Sequence, residues 1–151
     1  MLFESAPLMG QTGHEAGRQL LKKLCGDGEI AVTERGKPYF KDRPVHFSVS
    51  HTKSRVFCAV SDRPVGIDAE ELTRDIDLRL AEKILSPTEK KRFDDAENQR
   101  LALLKFWVLK EAYYKATGEG LRGYPNKTDF SPDDPRLFIH EGHIVAIIEM
   151  R

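Results

Sequence analysis

Two pairs of charged residues sit where this chain should otherwise be building a core. In "RPVGIDAEEL", Arg63 to Leu72, a short apolar run ends in Asp68 and, two residues on, Glu70. Alternate residues of a strand face the same side, so the two carboxylates project together if the strand continues through them. Like charges at that spacing raise each other's affinity for protons unless a cation intervenes. A hard divalent ion that prefers oxygen ligands, such as magnesium, would resolve the conflict. The plain alternative is a solvated strand end, continued by Glu71 into an acidic loop.

The second pair lies in "FWVLKEAYYKATG". Leu104, Val108, Glu111 and Lys115 follow one another at i, i+4, i+7 and i+11, a single helical stripe. An exposed Glu-to-Lys pair of that order adds only about 0.2–0.5 kcal/mol. On a central helix the charges would have to be paired or bind a ligand. The chemistry would then be a carboxylate for metal or proton work beside a fixed cation for an anion. Lys110 falls on another face and reads as a plain surface lysine. A third signal is "GKP" with Lys37, together with Ser50 and His51 at a strand end, where donors can reach a phosphate. His51 alone could equally be structural. His140 and His143 flank a turn and read as solvated. No GxGxxG, Walker-type P-loop, GxSxG or HExxH pattern occurs.

The elements that must position these groups follow from periodicity and punctuation. Residues 1–13 read as a loose lead-in. His14 to Leu24 has helical spacing, with Gly26 as its stop. Glu29 to Thr33 is a short strand, and "RGKPYFKDRP" a turn-rich connector. "VHFSVSH" alternates, with Phe47 and Val49 on one face and Ser48 and Ser50 on the other. "RVFCAVS" reads as a buried strand joined to it by a hairpin at "HTKS". "RPVGID" starts a further extended segment. Asp75 to Lys83 has an amphipathic helical pattern. "SPTE" is a capping box, with Ser86 as N-cap, Pro87 at N1 and Glu89 at N3, and opens a helix to about Ala96. The next helix, from about Asn98 to Thr117 and stopped by Gly118, is apolar nearly all round and therefore central. "RLFIH" and "HIVAIIEM" form a terminal hairpin about Glu141–Gly142. Strands, then helices, then strands indicate an α+β fold.

Composition bounds the rest. The chain has 151 residues, 40% hydrophobic and 32% charged, with zero net charge. That suits one domain or two small halves sharing a core, and gives no global field for nucleic acid or anionic membrane. Cys25 and Cys58 form no CxxC pair and read as free thiols. No secretory signal and no apolar run long enough for a membrane span is found, so a cytoplasmic protein is expected.

Read in order, "RGKP", "HFSVSH", "PVGIDAE", "LSPTE" and "FWVLKEAYYKATGEGL" resemble the 4′-phosphopantetheinyl transferase superfamily. The likeness is to its branch with two halves in one chain, and runs from about Arg18 to Leu121. The specific part is GIDxE followed some forty residues later by WxxKExxxK. The resemblance implies two similar α+β halves about a pseudo-twofold axis, roughly 1–65 and 66–151, meeting near Pro64 to Gly66 within a single domain 1–151. It implies magnesium-dependent transfer of the phosphopantetheine arm of coenzyme A to a serine of an acyl or peptidyl carrier protein, releasing adenosine 3′,5′-bisphosphate. Carried over by position, Asp68, Glu70 and Glu111 would bind the metal, and Glu111 would act as the base. Lys115 would meet the coenzyme phosphates, and Arg18, Lys37, Ser50 and His51 would also bind the coenzyme. The first half is shorter than is usual for this branch, and residues 1–17 hold no Lys or Arg, so weak coenzyme affinity or substitute contacts are expected. Val108 and Ala69 depart from the family pattern in packing only. A monomer is expected, with a dimer through an exposed sheet edge as the alternative. The competing functional reading is a non-catalytic relative that binds carrier protein or nucleotide. A third reading is an unrelated metal-dependent phosphotransfer site.

Overall fold

The alternation read in residues 46–71 builds two sheets. In the computed structural model, which describes residues 1–119 and 127–151, the elements run β1 (Leu2–Pro7), α1 (Gly13–Cys25), β2 (Ile30–Val32), β3 (Pro38–Phe40), β4 (His46–His51), β5 (Arg55–Ser61), β6 (Val65–Glu71), a 3-10 turn (Leu78–Leu80), α2 (Ala81–Ile84), α3 (Pro87–Asp94), α4 (Gln99–Thr117), β7 (Leu137–His140) and β8 (His143–Glu149). The α+β class stands. The last two residues of the quoted helix motif, Gly120 and Leu121, lie outside the described residues.

One antiparallel sheet has the order β1-β5-β4, another β6-β8-β7, and β2 pairs with β3 as a hairpin. The two large sheets pack face to face. Phe57 and Ala59 of β5 meet Val65, Ile67 and Ala69 of β6 and Val145 and Ile147 of β8. The outer faces take the helices. Leu20 and Leu21 of α1 cover Phe47, Val56, Cys58 and Val60, whereas Leu104, Val108 and Ala112 of α4 cover Ile144, Ala146 and Ile148. Period-2 alternation thus gives β5 and β8 two buried faces each, and explains why both read as nearly unbroken apolar runs.

The long helix can lie on β6 because of Gly66. A Cβ there would come within 1.8 Å of the Ala112 carbonyl oxygen and 2.6 Å of the Ala116 nitrogen. With Gly66 facing α4, Asp68 and Glu70 face it too, while Val65, Ile67 and Ala69 turn to the other sheet. The helix ends as its sequence indicates. Asn98 accepts from the Leu101 N–H at the start, and Gly118, at φ 80°, closes the end in the left-handed region. The capping box of α3 is present in both directions.

Five expectations need correction. Residues 1–13 are not a loose lead-in: Leu2–Pro7 pairs with β5 throughout, because Phe3 fills the gap beside Phe57 and Phe138. The "RGKPYFKDRP" connector contains β3, which pairs with β2 and begins at Pro38, a position where the missing N–H is tolerated. The Asp75–Lys83 helix shrinks to the 3-10 turn and α2. Lys110 is no surface lysine; its side chain is 0% exposed and pairs with Glu89 at 2.6 Å. His140 and His143 are not free in solvent. His143 is buried and bonds Thr52 at 2.9 Å, while His140 bonds Ser5 at 2.8 Å, so the terminal hairpin is tied to the first sheet.

Candidate active site

The site forms where the edge strands β4 and β6 meet beneath α4. Two hydroxyls on the inner face of β4 bond the edge of β6 that no strand covers: Ser48 Oγ accepts from the Ile67 N–H at 3.1 Å and Ser50 Oγ from the Ala69 N–H at 3.2 Å. These side chains replace a backbone ladder between the two strands and satisfy N–H groups that burial would otherwise orphan. Ser50 also donates to Asp68 Oδ1 at 3.2 Å. From α4, Lys115 Nζ donates to Ile67 O at 2.9 Å, Asp68 Oδ1 at 3.2 Å and Val49 O at 3.3 Å.

Asp68 is 7% exposed, and its Oδ2 is buried without a partner among the described residues. Burial pushes its carboxyl above the usual range, against the pull of Lys115 and Ser50. Glu70 is likewise raised, by burial and then by the charge of Asp68. Arg74 opposes that shift at 2.6 Å, and the Trp107 indole N–H adds a hydrogen bond. The Arg74 guanidinium lies 5.7 Å over the Trp107 ring. Glu111 is pushed up to about 7, first by burial, then by Asp68, with Lys115 pulling back and Glu70 adding to the rise. Asp68, Glu70 and Glu111 therefore lie close enough to oppose one another's ionisation, as a shared cation would relieve. As they stand, no group of three His, Cys, Asp or Glu side chains among the described residues is gathered tightly enough to hold a metal ion. The donor chemistry nevertheless fits a hard cation: all oxygens, with Asp68 Oδ2 uncommitted.

Beside this cluster a cleft of about 230 Å³ is lined by Lys37, Phe47, Ser48, Tyr114 and Lys115, among others. Lys37 Nζ donates to Ala116 O at 3.0 Å, near the end of α4, and burial lowers its proton affinity. Lys37 and Lys115 thus line the same cleft. His51 is exposed and packs against the start of α1, where a Cβ at Gly13 would lie 2.3 Å from its ring. Arg18 is not brought to the cleft; it lines a separate depression with Gln19, Lys22 and Phe40. Sequence reasoning missed Arg74 and Trp107. The signal for Arg74 was its place four residues beyond Glu70. Trp107 lies four residues before Glu111, one helical turn away.

A model of the 4′-phosphopantetheinyl transferase superfamily matches residues 64–143, from the start of β6 to the start of β8. The chain belongs to this superfamily. It is 39% identical over 90 residues to the 4′-phosphopantetheinyl transferase gsp of Aneurinibacillus migulanus, covering 58% of this chain and 37% of that protein. It is 36% identical over 98 residues to the 4′-phosphopantetheinyl transferase Sfp of Bacillus subtilis, covering 63% and 43%. Against the 4′-phosphopantetheinyl transferase HetI of Nostoc it is 34% identical over 123 residues, covering 70% and 52%. The chain therefore spans about half or less of the length of these relatives. Among the described residues no helix is long and apolar enough to cross a membrane.

Proposed function

We propose that the chain transfers the 4′-phosphopantetheine arm of coenzyme A to a serine hydroxyl of an acyl or peptidyl carrier protein. The observation that carries this reading is the cluster of three mutually opposed carboxylates beside a cleft holding two lysines, in a member of this superfamily. In the reaction the serine oxygen bonds to the phosphorus next to the pantetheine, and the phosphoanhydride bond breaks. Adenosine 3′,5′-bisphosphate leaves, and the serine proton goes to a base.

Glu111 suits that base. It lies on α4 facing the other two acids, and before any cation binds burial and Asp68 raise its proton affinity above that of an ordinary glutamate. Asp68, Glu70 and Glu111 are the residues that would hold magnesium, which when bound supplies positive charge to the pyrophosphate oxygens. Lys37 offers a cation from the cleft wall, and Tyr114 and Phe47 give the cleft apolar walls for the coenzyme. His51, exposed at the end of β4, would meet an outer phosphate. The reaction is expected to run in the cytosol, where coenzyme A and carrier proteins meet.

The test is incubation with an apo carrier protein, coenzyme A and magnesium, followed by intact mass. The carrier should gain the mass of the arm, and Glu111→Gln should lose most of the rate. Calorimetric binding of carrier protein or coenzyme A with no mass change across several carriers would favour the non-catalytic reading instead.

A further inference from the structure

Both large sheets end in an outer strand on the same side of the molecule. The orders β1-β5-β4 and β6-β8-β7 put the active-site seam at β4 and β6, and leave β1 and β7 at the opposite side. These two strands lie one above the other. Ser5 bonds His140 at 2.8 Å and the Phe3 ring meets that of Phe138 at 5.4 Å, so Glu4 stands level with Ile139. The parity of each ladder decides which backbone groups face outward. A two-residue turn, Glu141–Gly142 at φ 49° and 72°, joins β7 to β8. Its flanking residues, His140 and His143, exchange hydrogen bonds; by alternation Phe138 bonds Val145, and Ile139 points its N–H and C=O away from β8. In β1 the Leu8 N–H donates to Ser54 O at 3.1 Å. By the same alternation Leu2, Glu4 and Ala6 bond β5, and Phe3 and Ser5 point outward. Edge strands are normally blunted by lysine, proline, a bulge or a cover. Leu137–His140 holds no lysine or proline and pairs without a bulge, and Ile139 within it is 65% exposed.

We propose that the chain forms a two-fold dimer in which β7 pairs antiparallel with β7 of a second copy about Ile139, and β1 pairs with β1 of that copy about Glu4. One axis, perpendicular to the sheets, serves both layers because Glu4 and Ile139 are level. In the lower layer the two Ile139 residues exchange N–H and C=O. In the upper layer Phe3 exchanges with Ser5 of the second copy, so the outward groups of each edge meet their own kind reversed. The charges agree. Arg136, directly before β7, comes beside Glu141 of the second copy, directly after it. Two Glu4 carboxylates meeting across the axis would repel if bare, but each has its own Lys23 at 3.7 Å. An unrelated strand could lengthen one sheet, whereas a second copy matches two stacked edges at once. Both active-site seams stay at the far ends of the dimer, clear of the contact.

Sedimentation velocity of the full chain across micromolar concentrations tests this, with circular dichroism to report folding of each variant. The unaltered chain should sediment as a dimer. Ile139→Lys should weaken the dimer about a hundredfold, because both copies lose an apolar contact and gain opposed charges. Ile139→Pro removes an N–H that β8 does not use, so the folded monomer should persist while the dimer is lost. Arg136→Glu and Glu141→Lys should each weaken the dimer, and the two together should restore it. Glu4→Cys, with Cys25→Ser, should cross-link to its own copy under a mild oxidant. A chain that is monomeric at every concentration overturns the proposal, as does a dimer that survives both folded Ile139 variants. A dimer without the Glu4→Cys cross-link overturns the shared axis. If the unaltered chain is monomeric but Ile139→Lys weakens its binding to an apo carrier protein, the edge takes that partner and self-pairing falls.

Discussion

The buried pair of Glu89 and Lys110 sets up an unequal response to mutation. Both side chains are 0% exposed, with Nζ and Oε1 2.6 Å apart. Glu89 is satisfied beyond that pair. Its Oε1 also accepts from the Ser86 N–H at 2.9 Å, and its Oε2 accepts from Thr128 Oγ1 at 2.9 Å and the Phe130 N–H at 2.8 Å. Lys110 also donates to Thr128 Oγ1. Burial pulls the Lys110 ammonium below its ordinary range, and Glu89 pushes it back. Removing one member of a buried pair costs about 3–5 kcal/mol. Lys110→Met leaves Glu89 with three donors, so its cost belongs at the low end, about 3 kcal/mol. Glu89→Gln removes the carboxylate charge that faces the buried ammonium and also sets an amide NH2 among groups that are donors. Its cost belongs at the high end, about 5 kcal/mol. For a chain of this length each kcal/mol lowers Tm by about 2–4 °C, so Lys110→Met should melt about 6–12 °C lower. Urea unfolding followed by circular dichroism gives both values. The Lys110→Met/Glu89→Gln double variant should cost less than the sum of the singles. A Lys110→Met loss under about 1 kcal/mol, or Glu89→Gln proving the milder change, would refute the reasoning.

Glu111 gives a pH signature. Its folded pKa, about 7, is raised above its ordinary value, so the folded state holds its proton more tightly than the unfolded state does. The stability this contributes is present below about pH 4.5 and is lost as pH rises through about 7. Glu111→Gln should flatten that fall and be the more stable protein at pH 7.5, as compared by urea midpoints at pH 5 and 7.5; parallel curves would count against the buried cluster. Gly66→Ala should destabilise by about 1–3 kcal/mol or more, because the new methyl meets helix backbone that cannot swing aside; unchanged unfolding would mean that α4 does not lie so close to β6. Glu71 faces away from α4 and accepts from Ser54 at 3.4 Å. Glu71→Ala should keep the transfer rate that Asp68→Ala loses, and equal losses in the mass assay would contradict its placement.

Most element types were legible before any coordinates. The capping box, the glycine stop of α4 and the alternation of β4 depend on neighbours within a few residues, and local chemistry decides them. The pairing of GIDxE with WxxKExxxK likewise belongs to the sequence, which by itself indicated the family and picked out the three acids as candidates. Partners distant along the chain decided the remainder. β1 looked irregular because it becomes a strand only through its ladder with β5, about fifty residues away. Lys110 looked superficial because its partner, Glu89, reaches it only when α3 packs against α4. Tertiary structure alone decided which donors are already used. Ser50 and Lys115 are phosphate-binding types in isolation, yet across the β4–β6 seam both turn inward onto Asp68. A sequence fixes what a side chain can donate; the fold decides what remains to be donated, because a buried donor is bonded to whatever acceptor packing brings within reach.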